Sequence, residues 1–204
     1  MIAWIRKSID IDSRKEENIF IYTILGLAII LGAIVRVQYI SNSRYPINDG
    51  GFFLQMVEDL IENGFRLPKY TNYNQANIPY AYPPLAFYLT GLMHSYLGIP
   101  LLTLFQYFPV VISTFTIPAF YYLTDAFFDK KFYRAIATFF FSMLPRSFEW
   151  FVMGGGVTRS LGFIFAILAI YYFWKVYASD NKKTHLLLAS LFSTLTILSH
   201  PVSS

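Results

Sequence analysis

The sequence predicts an all-α protein, a polytopic transmembrane helical bundle with interfacial helices in its first external loop. Three observations lead there. Hydrophobic residues make up 55% of the 204-residue chain and charged residues only 14%, against roughly 25% charged in soluble domains. The apolar residues fall in runs close to the roughly 20 that carry a helix across about 30 Å of hydrocarbon. Lysines and arginines gather between those runs rather than on one face. The short alternating segments of a membrane β-barrel are absent.

Spans are expected at 19–40, 101–124, 133–153, 158–176 and 186–204. The polar character of the first 18 residues argues against a cleaved secretory signal. Arg6, Lys7, Arg14 and Lys15 precede the first span. Lys130, Lys131 and Arg134 follow the second, and Lys175, Lys182 and Lys183 follow the fourth. The positive-inside rule places these three groups on the cytoplasmic side, giving a multi-pass cell-membrane protein with a cytoplasmic N-terminus. The net charge of +4 is broken up by spans, so nucleic acid is not an expected partner. Cysteine is absent, which excludes disulfides and thiolate metal sites. The last apolar run ends without a charged flank, and the chain is expected to be the first part of a longer protein.

The segment 84–97 is too short to cross and would invert the charge rule if it did, so it is expected to lie in the interface. That leaves an external loop over 41–100. A long loop with this much organisation is more often functional than a connector. Asp49 stands in Asn48-Asp49-Gly50-Gly51 ahead of a helical pattern. Phe53, Met56, Leu60 and Ile61 mark its apolar face; Gln55, Glu58, Asp59 and Glu62 mark the polar one. Asp49 is either a helix N-cap or a carboxylate able to take a proton from an attacking hydroxyl, and the two roles are compatible. Tyr70, Tyr73, Asn74, Tyr80 and Tyr82 mix aromatic faces with amides, which suits either a sugar site or an interfacial aromatic belt.

Arginines near hydrocarbon need a reason. Arg36 is expected to snorkel from the first span to the interface. Arg146, with Glu149 three residues on, lies toward the outer end of the third span. Gly154-Gly155-Gly156-Val157-Thr158-Arg159 opens the fourth; it reads either as a tight turn or as an anion site made of backbone N–H groups, a hydroxyl and a guanidinium. It lacks the lysine and spacing of a P-loop. His94 and His200 have no partner at metal-ligand spacing, and no external acidic pair supports a metal. Asp49, Arg146, Glu149, Arg159 and His200 are expected to share one external cavity.

A first span, an external Asp49, then MVEDLIENGF and YPPLAFYLTGL resemble the start of GT-C fold glycosyltransferases, such as protein O-mannosyltransferases, aminoarabinose transferases and oligosaccharyltransferases. The resemblance implies a GT-C-like bundle and a polyprenyl-phosphate sugar donor. The acceptor would be a protein, lipid or glycan, and Asp49 would be the first-loop catalytic acid. Arg159, Arg146 and Thr158 would hold the donor phosphate; Tyr70, Tyr73, Asn74, Tyr80, Tyr82, Glu149 and His200 would line the substrate. The second external loop departs from the family's acidic pattern, which favours inverting transfer without a metal or other cofactor. A non-catalytic membrane binding or transport protein is the alternative.

Overall fold

The computed structural model describes residues 2–41, 48–154 and 156–201, with side chains from Lys15 onward. Helix α1 (Ile2–Ser41) is continuous. Its apolar part, Lys15–Ser41, has 27 residues, a rise of about 40 Å at 1.5 Å each. The 13-residue α2 (Gly50–Glu62) follows. A small hairpin pairs β1 (Tyr70–Thr71) antiparallel with β2 (Ile78–Pro79), Tyr70 opposite Pro79. Then come α3 (Leu85–Leu97) and α4 (Leu101–Leu123). Next are α5 (Lys131–Met143), the single turn α6 (Glu149–Val152), α7 (Gly156–Ala178) and α8 (Lys182–Ser199). The described residues are almost wholly helical, as expected of an all-α membrane protein.

Among the described residues, three helical stretches are long and apolar enough to cross a membrane: Lys15–Ser41, Leu101–Ala126 and Gly156–Ala178. The other two expected spans differ from the sequence expectation. The run 133–153 is not one helix. Leu144 is extended, with φ −69° and ψ 122°, and Pro145 opens a separate 3₁₀ turn. A residue before proline is pushed out of the α region, and proline brings no N–H to continue the ladder. The 13 residues of α5 rise about 20 Å, less than the hydrocarbon thickness. Helix α8 has 18 residues and opens on Lys182-Lys183-Thr184-His185, which lowers its apolar content. The last residues of the 186–204 run lie outside the described residues.

Helix α4 carries Pro109 and Pro118 without ending. Proline is tolerated inside a spanning helix, and in the turns between the two prolines the Thr114 and Thr116 hydroxyls donate to the Val110 and Ser113 carbonyls at 2.8 and 2.6 Å. The main core forms where the loop helices meet the bundle. Phe53, Met56, Val57 and Leu60 of α2 pack with Ala86 and Phe87 of α3, Leu101, Leu104 and Phe105 of α4, and Val157 and Leu161 of α7. Helix α3 begins one residue into the expected interfacial segment and ends at Gly98, whose φ of +68° suits a glycine C-cap.

Two polar residues depart from their expected surroundings. Arg36 does not snorkel; it is fully buried. Its Nε donates to Ser113 Oγ of α4 at 3.0 Å, and its Nη1 to the Gly32 and Ser142 carbonyls at 2.8 and 2.9 Å. The guanidinium lies over the Phe148 ring at 4.7 Å, so the charge joins three helices. Asp59, expected on the polar face of α2, is only 4% exposed. Its carboxylate accepts the backbone N–H and side-chain amide of Asn72, both at 2.9 Å, and the Gln55 amide at 3.1 Å. It pins the hairpin to α2.

Candidate functional site

The site forms where the chain turns into α2 and meets the first turn of α7. Asn48 sits at φ +63°, a left-handed conformation that Asn adopts more readily than most side chains. Its amide approaches Met153 Sδ at 3.3 Å, tying this turn to the one before α7. Asp49 is therefore aimed at α7 rather than along its own helix. It occupies the N-cap position of α2 but makes no side-chain cap hydrogen bond. The expectation of a capping carboxylate is overturned: the competing partner is a guanidinium, and a charged pair outweighs a cap. Arg159 Nη2 donates to Asp49 Oδ2 at 2.7 Å.

The pair is asymmetric. The Arg159 side chain is 7% exposed and that of Asp49 53%. Arg159 is fixed further by Nη1 donating to the Trp150 carbonyl at 3.2 Å and by stacking over the Trp150 ring at 4.2 Å. Asp49 Oδ1 has no hydrogen-bond partner among the described residues. One carboxylate oxygen is held by Arg159, while the side chain as a whole stays half-exposed. Trp150, exposed on α6, was missed in the sequence. The signal available was an aromatic just ahead of the glycine-rich turn, since arginine stacks on such rings.

Tyr82 closes the inner side. Its ring packs on Phe53 at 4.7 Å and Phe87 at 5.9 Å, and edge-on to His200 at 5.9 Å. Its hydroxyl shares a hydrogen bond with Thr158 of α7, which is fully buried. Burial raises the phenol above its ordinary value, outweighing the Thr158 hydrogen bond and Arg159, which lower it; Asp49 raises it further. Tyr82 is thus a neutral hydroxyl at physiological pH. His200 is buried beside it, close enough to Arg159 for the charges to interact.

The structure brings Asp49, Thr158, Arg159, Tyr82 and His200 together. Arg146 and Glu149 line an adjoining cavity of about 500 Å³ with Trp150, Phe151 and Met153. Of the five charged or imidazole groups expected to share one cavity, Arg146 and Glu149 line this one without Asp49, Arg159 or His200, and Trp150 stands between the two groups. The break after α5 sets this, because the 3₁₀ turn carries Arg146 outward, where it is exposed. The other loop residues stand apart. Tyr70 is exposed on β1, Asn74 is exposed at φ +53°, and Tyr73 packs edge-on to Phe52 at 5.3 Å. Tyr80 donates its hydroxyl to the Met56 carbonyl at 2.9 Å, a brace for α2.

At Gly156 the glycine-rich turn is closed by the chain itself. The Gly156 N–H donates to the Met153 carbonyl. A Cβ at Gly156 would strike the Phe151 carbonyl and lie 3.2 Å from Pro109 Cβ. Close helix approach explains this glycine; Gly155 lies outside the described residues. His94 Nδ1–H donates to the Ile99 carbonyl at 2.8 Å, which steadies the turn into α4. Among the described residues no group of three His, Cys, Asp or Glu side chains is placed to hold a metal. No family model, curated protein or solved structure matches this chain.

Proposed function

We propose that the protein is an integral membrane glycosyltransferase that moves a sugar from a polyprenyl-phosphate donor to an external acceptor, with Asp49 as the general base. The observation that carries this reading is the half-exposed Asp49 carboxylate, held by Arg159 through one oxygen. A base must be fixed and still reach the proton it takes.

In this reading the acceptor hydroxyl oxygen attacks the anomeric carbon and its proton passes to Asp49. The bond from that carbon to the phosphate oxygen breaks, and polyprenyl phosphate departs with the electron pair. Attack opposite the leaving group inverts the centre. The growing charge on the phosphate calls for cations fixed in advance. Arg146, exposed in the cavity beside Trp150, offers one. Arg159 offers the second by exchanging Asp49 for the phosphate as the donor enters, which frees the carboxylate for proton transfer. Tyr82, positioned by its hydrogen bond to the buried Thr158, supplies a neutral hydroxyl for the sugar. No step needs a metal.

The test is Asp49→Asn in the natural full protein, assayed with a polyprenyl-phosphate sugar and read as glycosylated product by mass spectrometry. Loss of a general base costs roughly 10²- to 10⁴-fold in rate. Asp49 makes no cap hydrogen bond, an Asn oxygen still accepts from Arg159, and Arg159 keeps its Trp150 contacts, so the fold is retained. Near-normal transfer by this variant refutes the assignment.

A further inference from the structure

At the end of the bundle opposite Asp49, a cavity of about 330 Å³ opens between the start of the apolar part of α1, the end of α4, the start of α5 and the far half of α7. Its walls include Tyr22, Tyr121, Asp125, Lys131, Arg134 and Tyr171. We propose that it binds the phosphodiester headgroup of an anionic glycerophospholipid from the adjoining membrane leaflet. This rests on a different part of the molecule from the glycosyltransferase reading.

Charge carries the first part of the argument. Arg134 pairs with Asp125 Oδ1, and Lys175 Nζ donates to Asp125 Oδ2 at 2.7 Å. One carboxylate therefore answers two cations. Lys131 lines the same cavity with no ion-pair partner among the described residues. Three cations against one carboxylate leave two positive charges, and Glu16 and Glu17, exposed on α1 just before the cavity-lining Asn18 and set against Lys15, reduce the excess at the mouth to one. The next acid in the chain, Asp129, is followed at once by Lys130 and changes nothing in that balance. Arg134 is held in place by Nε donating to the Phe128 carbonyl at 2.7 Å and Nη2 to that of Asp129 at 3.1 Å. The positive field is thus built on a fixed guanidinium.

Depth carries the second part. Tyr22, Tyr122, Tyr133 and Tyr177 are exposed around this end, and Lys175 lies over the Trp174 ring at 4.7 Å. Rings of this kind mark the headgroup level of a bilayer, and basic pockets between spanning helices at that level take anionic lipid heads. The exposed apolar side chains Phe20, Ile29 and Ile30 of α1 continue away from the mouth. They offer a surface for acyl chains that a soluble phosphate would not use. A choline headgroup brings its own cation against Lys131 and Arg134, so zwitterionic lipid is disfavoured.

The experiment titrates the purified protein in neutral detergent with phosphatidylglycerol or phosphatidylcholine and reads bound lipid by native mass spectrometry. Phosphatidylglycerol should bind in preference. Lys131→Gln should weaken its binding about five-fold, the worth of one cation beside an anionic lipid layer. Lys131→Arg should retain it. Lys131 is exposed, so folding is unaffected. The control Lys69→Gln, on the exposed loop at the other end, should leave binding unchanged. Equal binding of the two lipids, or no loss in Lys131→Gln, overturns the proposal. So does displacement of phosphatidylglycerol by an equal concentration of inorganic phosphate, which identifies a free-phosphate site instead.

Discussion

Asp59 and Asn72 are joined twice, through the backbone N–H and the side-chain amide of Asn72, both at 2.9 Å from one buried carboxylate. This bond pair connects α2 to the hairpin that leads to Tyr82. Removing the carboxylate loses the three part-buried hydrogen bonds it accepts from Asn72 and Gln55, each worth about 1 kcal/mol.

Asp59→Ala should therefore destabilise the protein by about 2–3 kcal/mol. Thermal unfolding in detergent reads the loss, and limited proteolysis should cut faster between 66 and 80. An unchanged melting temperature would show that the hairpin is held by something else.

Arg36→Ala should be among the most damaging single changes. It removes two hydrogen bonds joining α1 to α4 and α5 and a third to Gly32 of α1 itself and leaves a cavity, a loss of about 3 kcal/mol. Arg36→Met, similar in volume and needing no charge partner, should recover much of the stability, as apolar replacements of buried charges often do. Equal loss in both variants would show that the hydrogen bonds dominate over filling the space.

Gly156→Ala should displace the turn that carries Arg159, because the added methyl meets the Phe151 carbonyl and Pro109. Overpacking of this kind costs about 1–3 kcal/mol. Because the shift is passed to Arg159, the variant should also lose activity in the same transfer assay. Gly51→Ala is the control, since nothing lies within 4 Å of a Cβ there.

Tyr80 predicts an alkaline limit. Burial, then Asp59, then Tyr88 push its phenol above the ordinary value of 10. A raised folded value means the stabilisation is complete below the unfolded pKa and lost as pH rises above it. The melting temperature should hold to about pH 9 and fall beyond about pH 10. Tyr80→Phe should lose about 1 kcal/mol at neutral pH, the worth of its bond to Met56, and show a shallower alkaline fall. Identical alkaline slopes would assign the limit to other groups.

Topology is open to direct labelling. A cysteine at Asn74 should react with a membrane-impermeant reagent added outside intact cells, and one at Lys131 should not. The expectation rests on the lysine and arginine clusters between apolar runs. Labelling of position 131 from outside would reverse the assignment of sides.

Periodicity and composition were enough to reveal the helices. The apolar face of α2 is legible because Phe53, Met56 and Leu60 recur at helical spacing, and a local rule of that kind survives folding. Leu85–Leu97 is legible for a similar reason, since the double proline before it and Gly98 after it are local stop signals. The interruption at Leu144 was also written in the sequence, at Pro145, but the continuous apolar run concealed it. Hydropathy sums side chains and takes no account of a missing backbone N–H.

The partners of the polar residues were decided by tertiary structure alone. Asp49 read as a cap or a base, two compatible roles, and what took it from its own helix was Arg159, 110 residues away. Asp59 followed the polar stripe of α2, yet the hairpin came down over it and buried it. Arg36 looked able to reach the interface, and the α4 hydroxyl and α5 carbonyl around it held it inside. A side chain's burial periodicity depends on its own helix, so the sequence determines it. Which charge a carboxylate meets depends on how distant segments converge, and that is fixed only when apolar faces with no charge preference of their own have packed.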